Sequence, residues 1–405
     1  MSVVLSHTLK KIFMKKKTLI TLPLLGLVSL FALPACTNAN ADNASSNPYL
    51  AHFNPKLTQP LPANETPKTD IPYQEDAANW QEFVNFLIEN AKLQGFDARV
   101  IAQLKTLTFN PRVVKADQAQ YERITKNRQN QASAEPSEPK PPQEATLMQR
   151  YLDMHISAAK VNRAVALLKN YQPILEKISA KYQVPMQVIV GLWGMESNFG
   201  KTQGSYNLLD SLASLAYEGR RREYFTREFF NALRVMEING FSKEEMNSSW
   251  AGAVGQIQFM PTSYLVYGAD GNDDGVVNIW LSAIDSFASI ANYLHQEGWN
   301  PQLPWGIKVK MSFAQYLDKY KDLVGISGQG RTLAQWQALG LEINDQLQGI
   351  KADTPLWLVV PTNEPKQAYL VTKNYRVYMH WNRSSYFAYA NGIFAQMIFE
   401  QLEKD

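Results

Sequence analysis

The chain has 405 residues, of which 45% are hydrophobic and 11% aromatic, so it is long and apolar enough to bury a sizeable core. Its formal net charge is +3, but five lysines and no acidic residue lie in the first 36 positions, and the remainder carries −2. This balance argues against a nucleic-acid partner, and a single cysteine excludes an intramolecular disulfide bond.

Residues 1–36 have the layout of a secretory leader peptide. Lysines precede an apolar run at 19–35, and Met14 could equally start the leader, because a complete basic and apolar layout follows it. The run is close to the shortest length that spans a bilayer, and Pro23 and Pro34 interrupt it. The pattern therefore favours cleavage over a permanent membrane helix.

Cys36 ends this leader. The sequence LPAC at 33–36 resembles the bacterial lipobox, in which the cysteine is lipidated and becomes the first mature residue. Acyl chains contribute roughly 0.8 kcal/mol of membrane binding per buried methylene, so a multiply acylated cysteine anchors firmly. Thr37 stands where an aspartate would suggest retention in the inner membrane. The resemblance implies a lipid anchor in the outer membrane and a protein that faces the periplasm.

Two segments of different amino-acid composition lie between Cys36 and residue 151. Residues 37–75 are rich in Asn, Pro and Thr without helical periodicity, which predicts a flexible tether. Residues 76–150 are predicted to form an N-terminal helical subdomain with a disordered loop near 126–145. One helix would end at Gly95 and place four apolar residues on one face, namely Trp80, Phe83, Leu87 and Ala91.

Residues 151–300 are predicted to form a helical core that includes the segment 184–200, VPMQVIVGLWGMESNFG. Pro185 suits the first turn of a helix, and Gly191 and Gly194 lie three residues apart on one side of it. Each glycine costs about 1 kcal/mol inside a helix. We therefore expect another segment or a ligand to approach that side closely.

Glu196 is the one carboxylate in that segment. A single glutamate at a helix end is often a solvent-exposed terminus. Here the neighbouring Trp193, Met195 and Phe199 would leave it poorly solvated and raise its pKa, which favours the protonated acid near neutral pH. A raised pKa is what the general acid of a glycosidase requires.

Residues 301–378 have the texture of a small β-rich insert. Short β-branched and aromatic runs, divided by Gly, Pro and Asn, predict strands at WGIKVKM, LWLVV, QAYLVT and YRVYM. Residues 379–405 return to helical spacing and are predicted to pack as a C-terminal helix on the helical core. The predicted fold class is mainly α (α+β), with the insert and the N-terminal subdomain attached to that core.

Four stretches carry a resemblance to a known family. GLWGMESNFG, residues 191–200, resembles the catalytic-glutamate motif of lysozyme-like lytic transglycosylases. Residues 248–275, SSWAGAVGQIQFMPTSYLVYGADGNDDG, resemble the membrane-bound lytic murein transglycosylase B family in particular. Two further stretches follow the family's order, NLLDSLASLAYEGRRREYF and NIWLSAIDSFASIANYLHQEGW. The resemblance implies a lysozyme-like core and an enzyme that cleaves peptidoglycan strands.

The resemblance also implies roles for individual residues. It places the catalytic acid at Glu196 and carboxylate-binding residues at Arg220 and Arg221, although an arginine run is also typical of a solvated helix face. Trp381 and Phe387 depart from the family pattern, in which tyrosine is common at both places. The positions implied to bind substrate are Ser249, Gln258, Phe259 and Tyr293.

The stretch 250–264 supports a ligand-binding loop by its own chemistry. Gly252 and Gly255 would let the loop run close to a ligand, and Gln258 offers a donor and an acceptor to an acetamido group. Four aromatic residues are candidate faces for sugar rings, although aromatics at such spacings are more often core: Trp193, Trp250, Phe259 and Tyr293.

Residues 270–285 begin like an EF-hand calcium loop. Oxygen-bearing side chains at positions 1, 3, 5 and 9 are Asp270, Asn272, Asp274 and Asn278, with a glycine at position 6. Leu281 replaces the glutamate of position 12, and the resemblance implies Asp285 in its place. Val276 would add its backbone carbonyl. A weak structural calcium site is predicted, and a turn without metal is the alternative.

Glu196 alone lies in a convincing apolar setting, whereas Asp210 and Glu223 are expected in exposed helical surroundings. Common glycosidases use two carboxylates roughly 5 to 10 Å apart. A single acid suffices if the acetamido group of MurNAc assists departure and the C6 hydroxyl then closes on C1. This predicts cleavage of the MurNAc to GlcNAc β-1,4 bond without water, giving 1,6-anhydroMurNAc, with no cofactor for catalysis.

Three alternatives stay open from the sequence. They are a lysozyme-like hydrolytic muramidase, a noncatalytic peptidoglycan-binding lipoprotein and a calcium-stabilised scaffold. The expected partners are peptidoglycan glycan strands, outer-membrane lipid through an acylated Cys36, and other cell-wall enzymes. The expected location is the periplasmic side of the outer membrane.

Overall fold

The computed structural model describes residues 58–132, 147–343 and 350–405. The predicted leader, the lipidation site Cys36 and residues 37–57 of the predicted tether lie outside these ranges. Residues 58–75 are held against the helical core, where Leu61 is buried and its N–H donates to Asn231 Oδ1 at 2.7 Å, so the prediction of a flexible tether is wrong for this part. Within the described ranges, no helix is both long and apolar enough to cross a membrane.

Helices make up most of the described chain. The N-terminal part contains α1 (Ala77–Gln94), α2 (Ala98–Leu104), α3 (Pro111–Ala132) and α4 (Leu147–His155). The central part contains α5 (Ala158–Asn170), α6 (Gln172–Tyr182), α7 (Met186–Ser197), β1 (Tyr206–Asn207), α8 (Leu208–Glu218), α9 (Arg222–Asn239), β2 (Asn247–Ser248), α10 (Pro261–Tyr267) and α11 (Ala283–Gln296). The predicted mainly α class with a small β part is confirmed.

The C-terminal part combines short strands with helices. It contains β3 (Gly306–Lys310), α12 (Phe313–Gln315), α13 (Leu333–Ala338), β4 (Glu342–Ile343), β5 (Trp357–Val359), β6 (Tyr369–Val371), α14 (Lys373–Trp381) and α15 (Ser385–Leu402). The four strands form one antiparallel sheet in the order β4, β3, β6, β5. This sheet covers a core of its own, which includes Ile307, Val309, Trp336, Leu358 and Leu370.

The predicted end of α1 at Gly95 is confirmed, and its start is set by a cap that the sequence analysis did not identify. Asp76 caps its start by accepting a hydrogen bond from the backbone N–H of Asn79 at 2.8 Å, and the left-handed Gly95 ends it at φ 83°. Phe83, Leu87 and Ala91 are buried on one face, as the spacing predicts. Trp80, the fourth member of that face, is partly exposed.

Two predictions about secondary structure are wrong. The loop predicted near 126–145 begins too early, because α3 continues through Ala132. Residues 126–132 are Lys, Asn, Arg, Gln and Ala, mostly good helix formers, and no proline lies between Pro111, at the start of α3, and Pro136. The run YRVYM, predicted as a strand, lies in α14 instead. Thr372 caps that helix, and Tyr375 and Tyr378 are buried at helical spacing.

Helix α7 lies at the centre of the helical core, where it contacts α5, α6, α11 and α15. Its glycines explain how closely these neighbours can pack. A Cβ at Gly194 would lie 2.5 Å from the ring of Phe199 and 3.0 Å from that of Phe394, whereas one at Gly191 would make ordinary contact with α15. The predicted close approach at this side is therefore made by the protein's own segments.

Candidate active site

The backbone turns back on itself directly after Glu196. Asn198, Phe199 and Gly200 all have left-handed backbone conformations, with φ of 51°, 62° and 77°. For an aromatic residue this conformation is a genuine outlier. Ser197 holds the turn, because its hydroxyl oxygen accepts a hydrogen bond from the N–H of Gly200 at 2.8 Å. The turn ends α7 and leaves Glu196 on its last turn.

Glu196 as a whole residue is of intermediate exposure, and its carboxyl group is largely removed from water. The indole Nε1–H of Trp381 donates to its Oε1 at 2.7 Å. Loss of hydration raises the pKa of Glu196 to about 8, although the Trp381 hydrogen bond and the charge of Lys160 each lower it. The acid is therefore protonated at neutral pH, as the sequence predicts.

Lys160 and Tyr151 are the ionisable groups that interact electrostatically with Glu196. Burial lowers the pKa of Lys160 to about 8, and the charge of Glu196 opposes this shift. Burial, followed by the charge of Glu196, raises the pKa of Tyr151 to about 12. Among the described residues, the groups that shift the pKa of Glu196 include no second carboxylate.

Two buried aromatic rings pack against Trp381. The Trp381 ring lies 5.1 Å from that of Phe259 and 4.7 Å from that of Tyr293, measured between centroids. The rings of Phe259 and Tyr293 lie 5.9 Å apart. The structure thus brings two of the sequence-predicted substrate residues to the side chain that holds Glu196.

Gln258 and Ser249 belong to the turn that precedes α10. Gln258 has φ 51°, is partly exposed, and donates through Nε2 to the carbonyl oxygens of Gln203 at 3.2 Å and Gly255 at 2.9 Å. Ser249 is buried, and its hydroxyl oxygen accepts from the N–H of Ala253 at 3.0 Å. Both side chains therefore shape the loop, and their role in sugar binding stays a prediction.

Two expectations about this loop need correction. Gly252 and Gly255 have φ of 87° and 67°, and an added Cβ would meet Leu212 at 2.4 Å and Ile279 at 2.7 Å. These glycines allow close packing of the protein against itself, where the sequence suggested a ligand. Trp193 is 4% exposed and donates to Gln256 Oε1 at 2.9 Å, so it supports the site from the core and offers no sugar-binding face.

Arg220 and Arg221 both bind a carboxylate of the chain itself. Asp117 on α3 is 1% exposed and accepts from Arg220 Nε at 3.0 Å, and its other oxygen pairs with Arg221. The Arg220 guanidinium group also lies 4.9 Å from the ring of Tyr121. The sequence analysis predicted a substrate carboxylate as the partner of these arginines, whereas the carboxylate observed is that of Asp117. A contact with substrate carboxylates stays a prediction.

The two other carboxylates considered from the sequence have partners elsewhere. Asp210 is mostly buried, contrary to expectation, and lies 2.8 Å from Lys243 Nζ. Glu223 is exposed and lies 3.1 Å from Lys68 Nζ. Neither is among the groups that act on Glu196.

The loop 270–285 is organised by two buried aspartates. Asp270 Oδ2 accepts from the N–H of Gly275 at 2.7 Å, and the two oxygens of Asp285 accept from Gly271 at 3.0 Å and Asn278 at 2.8 Å. Burial, and then the charge of Asp270, raises the pKa of Asp285 against its backbone hydrogen bonds. Two buried carboxylates and their carbonyl-rich turn have the donor chemistry that calcium prefers.

The remaining members of the predicted metal set are more exposed. Asn272 donates to Asp274 Oδ2 at 2.8 Å, and Asp274 Oδ1 accepts from the N–H of Val276. The described ranges contain no group of three acidic, histidine or cysteine side chains already placed around one metal position. Calcium binding would therefore require these side chains to exchange local hydrogen bonds for the ion.

Two residues of the site were missed by sequence reasoning. Trp381 stood out only as a departure from the family pattern, and its indole N–H is the signal that could have suggested a donor to Glu196. Lys160 gave no signal, because a lysine near the start of an amphipathic helix is typical of a solvated face.

Comparison with known proteins identifies the family. The sequence profile of the transglycosylase SLT domain matches residues 78–396. The chain belongs to this family. Membrane-bound lytic murein transglycosylase B of Escherichia coli K12 is 34% identical over 180 residues, which cover 41% of this chain and 50% of the relative. The aligned region therefore spans about half the length of that protein.

Solved structures resemble this SLT-family chain over a longer range. SltB3 from Pseudomonas aeruginosa in complex with NAG-NAM-pentapeptide is 29% identical, covers 79% of both chains and superposes with a TM-score of 0.67. The same protein in complex with NAG-anhNAM-pentapeptide is 30% identical, covers 78% of both chains and has a TM-score of 0.65. The Escherichia coli lytic transglycosylase Slt35 with bulgecin A is 24% identical, covers 82% of this chain and 96% of its own, with a TM-score of 0.62. The lysozyme-like fold class is confirmed.

Proposed function

We propose that this SLT-family protein is a peptidoglycan lytic transglycosylase in which Glu196 acts first as acid and then as base. The observation that carries the proposal is the state of Glu196. Its carboxyl group has a pKa raised to about 8, accepts one hydrogen bond from Trp381 and lies beside the buried aromatic cluster of Trp381, Phe259 and Tyr293. Such a group enters the reaction carrying the proton that the leaving oxygen needs.

Each bond change can then be assigned. The Glu196 proton moves to the glycosidic oxygen, the bond between that oxygen and C1 of MurNAc breaks, and the acetamido oxygen of MurNAc bonds to C1. Glu196, now a carboxylate, takes the proton of the C6 hydroxyl. The C6 oxygen bonds to C1 as the acetamido oxygen leaves. The product is 1,6-anhydroMurNAc, Glu196 is protonated again, and no water is consumed.

The ligands of a relative support this substrate class. SltB3 was solved with NAG-NAM-pentapeptide and with NAG-anhNAM-pentapeptide, which correspond to an uncleaved unit and an anhydro product. Phe259 and Tyr293 are buried against Trp381 and would fix the indole that holds Glu196, and Gln258 and Ser249 would hold the loop that faces the acetamido group. The proposed partner is accordingly the glycan strand with its stem peptides.

Digestion of purified sacculi tests the proposed function. The protein should lower the turbidity of the suspension and release soluble muropeptides, and their mass spectra should show anhydroMurNAc ends. Fragments heavier by one water, with reducing MurNAc ends, would identify a hydrolytic muramidase instead. Binding without release would identify a noncatalytic glycan-binding protein.

We further propose that Cys36 is acylated and anchors the protein to the outer membrane on its periplasmic side. The lipobox-like sequence LPAC supports this, and the Escherichia coli relative is named as membrane-bound. The full-length protein should sediment with outer membranes, whereas Cys36→Ser should appear in the soluble periplasmic fraction. An unchanged distribution of Cys36→Ser would contradict the anchor.

A structural calcium ion in the loop 270–285 is a separate proposal. Asp270, Asn272, Asp274 and Asp285 would supply side-chain oxygens and Val276 its carbonyl. At ten times its dissociation constant, calcium should stabilise the fold by about 1.4 kcal/mol and raise the melting temperature. Asp285→Asn should abolish this calcium-dependent rise, and Asp273→Asn, in the same loop but outside the ligand set, should keep it. Equal melting temperatures with calcium and with chelator would contradict the site.

A further inference from the structure

Lys160 lies beside Met195, the residue before the proposed acid Glu196, and has no ion-pair partner among the described residues. It is on the first turn of α5, after the N-cap Ser157, and is partly buried. Its Nζ lies 3.9 Å from the sulfur of Met195, the residue before Glu196, and 5.4 Å from the ring centroid of Phe394. These contacts hold the ammonium group against the last turn of α7.

Lys160 interacts electrostatically with Glu196 and lowers the pKa of its carboxyl group. Within the described ranges it forms no ion pair closer than 4.0 Å, whereas Lys169 on the same helix pairs with Asp405 at 2.9 Å. Removing an ammonium group from water without a close counter-ion is costly. The negative charge that acts on Lys160 is that of Glu196, beyond ion-pair distance.

The other groups around this pair cannot replace the charge. Tyr151 and His155 of α4 lie near it, and burial and the charge of Lys160 lower the pKa of His155, which keeps the imidazole neutral at pH 7. Arg163 on α5 is charged, but its guanidinium carbon lies 5.3 Å from the ring of Phe199 and is not among the groups that act on Glu196. Trp381 donates a neutral hydrogen bond.

We propose that Lys160 is a positioning residue for the transglycosylase reaction, whose positive charge stabilises the Glu196 carboxylate formed when the leaving oxygen takes its proton. This inference rests on the proposed function. The apolar surroundings of Glu196 make it a weak acid, and a weak acid gives up its proton slowly. A cation held against Met195, the residue before Glu196, makes the acid stronger because it stabilises the carboxylate. Met195 and Phe394 keep that cation from swinging into solvent.

Three variants separate this role from a structural one. Lys160→Met removes the charge and keeps the apolar stem, Lys160→Arg keeps the charge, and Lys169→Met removes an exposed lysine of the same helix. We expect Lys160→Met to lower kcat on soluble glycan strands about fivefold, with little change in KM. The alkaline limb of its pH–rate profile should move up by about one pH unit, because Glu196 then loses its proton later.

Lys160→Arg stays charged above pH 8, whereas the pKa of Lys160 is about 8, so its alkaline limb should lie at or below that of the unaltered protein. Lys169→Met should leave kcat and the limb unchanged. An unmoved limb in a folded Lys160→Met protein would overturn the inference. If Lys160→Met lowers the melting temperature too far for assay, Lys160→Gln removes the same charge and should move the limb equally. Glu196→Gln is the reference, because its full activity would refute the proposed function itself, whatever Lys160 does.

Discussion

Glu196→Gln should reduce the rate of peptidoglycan cleavage by about 10³-fold or more. General acid–base catalysis by one positioned group contributes roughly 10² to 10⁴, and the proposed reaction uses this group in both proton transfers. The amide keeps the shape of the protonated acid, and its oxygen can still accept the hydrogen bond of Trp381. Substrate affinity and fold should therefore be preserved, and the loss should appear in kcat.

The same substitution should change the pH dependence of stability. The pKa of Glu196 rises from its ordinary 4.5 to about 8 on folding, so the unfolded chain releases this proton at lower pH than the folded protein. Ionisation therefore favours unfolding as pH rises from about 4.5 to about 8. Glu196→Gln removes this effect, and its melting temperature should exceed that of the unaltered protein near pH 8 but match it near pH 4.

Glu223→Gln is the matched control, because Glu223 is an exposed carboxylate paired with Lys68. It should keep full activity and an unchanged dependence of melting temperature on pH. Release of muropeptides by Glu196→Gln at a rate close to that of the control would remove Glu196 from its role.

Gly204→Ala should destabilise the protein by about 3 kcal/mol or more. Gly204 has φ 92°, and a Cβ there would lie 2.1 Å from the carbonyl oxygen of Ser248 and 2.6 Å from the backbone N of Ser249. The obstacle is backbone, which cannot rotate away. The chain would have to separate where β1 pairs with β2, next to Ser249 of the substrate loop. Activity should fall together with stability.

Gly240→Ala supplies the control for that substitution. Gly240 also has a left-handed backbone, at φ 71°, but no atom lies within 4 Å of the added Cβ. Only the conformational cost remains, about 1 kcal/mol. The thermal melting curves of the two variants should therefore separate clearly. Equal losses of melting temperature would show that the contact with Ser248 does not constrain the loop.

Local features of this fold were predictable because their causes lie close in sequence. Gly95 marks the end of α1 by capping chemistry, and the apolar spacing before it gives the buried face of the helix. The apolar setting of Glu196 was likewise visible from its neighbours. The secondary structure of the run YRVYM could not be predicted, because a short aromatic and β-branched segment fits a strand or a buried helix equally well.

The details of the site depend on contacts between distant residues. Trp381 and Glu196 are 185 positions apart, and Asp117 and Arg220 are 103 apart. Local sequence patterns do not predict contacts between residues so far apart in the chain. Sequence reasoning therefore proposed Glu196 as the acid and named Phe259 and Tyr293, which pack against Trp381. It could not find the indole that donates to Glu196, the lysine that acts on it, or the aspartate that pairs with the arginines.

Cleavage of sacculi in heavy-oxygen water tests the central claim most directly, since that claim is chain scission by Glu196 without water. The MurNAc ends released should contain no heavy oxygen at C1 and should have the mass of the internal 1,6-ether, and Glu196→Gln should release almost none. Heavy oxygen at C1 of reducing MurNAc ends would contradict the account.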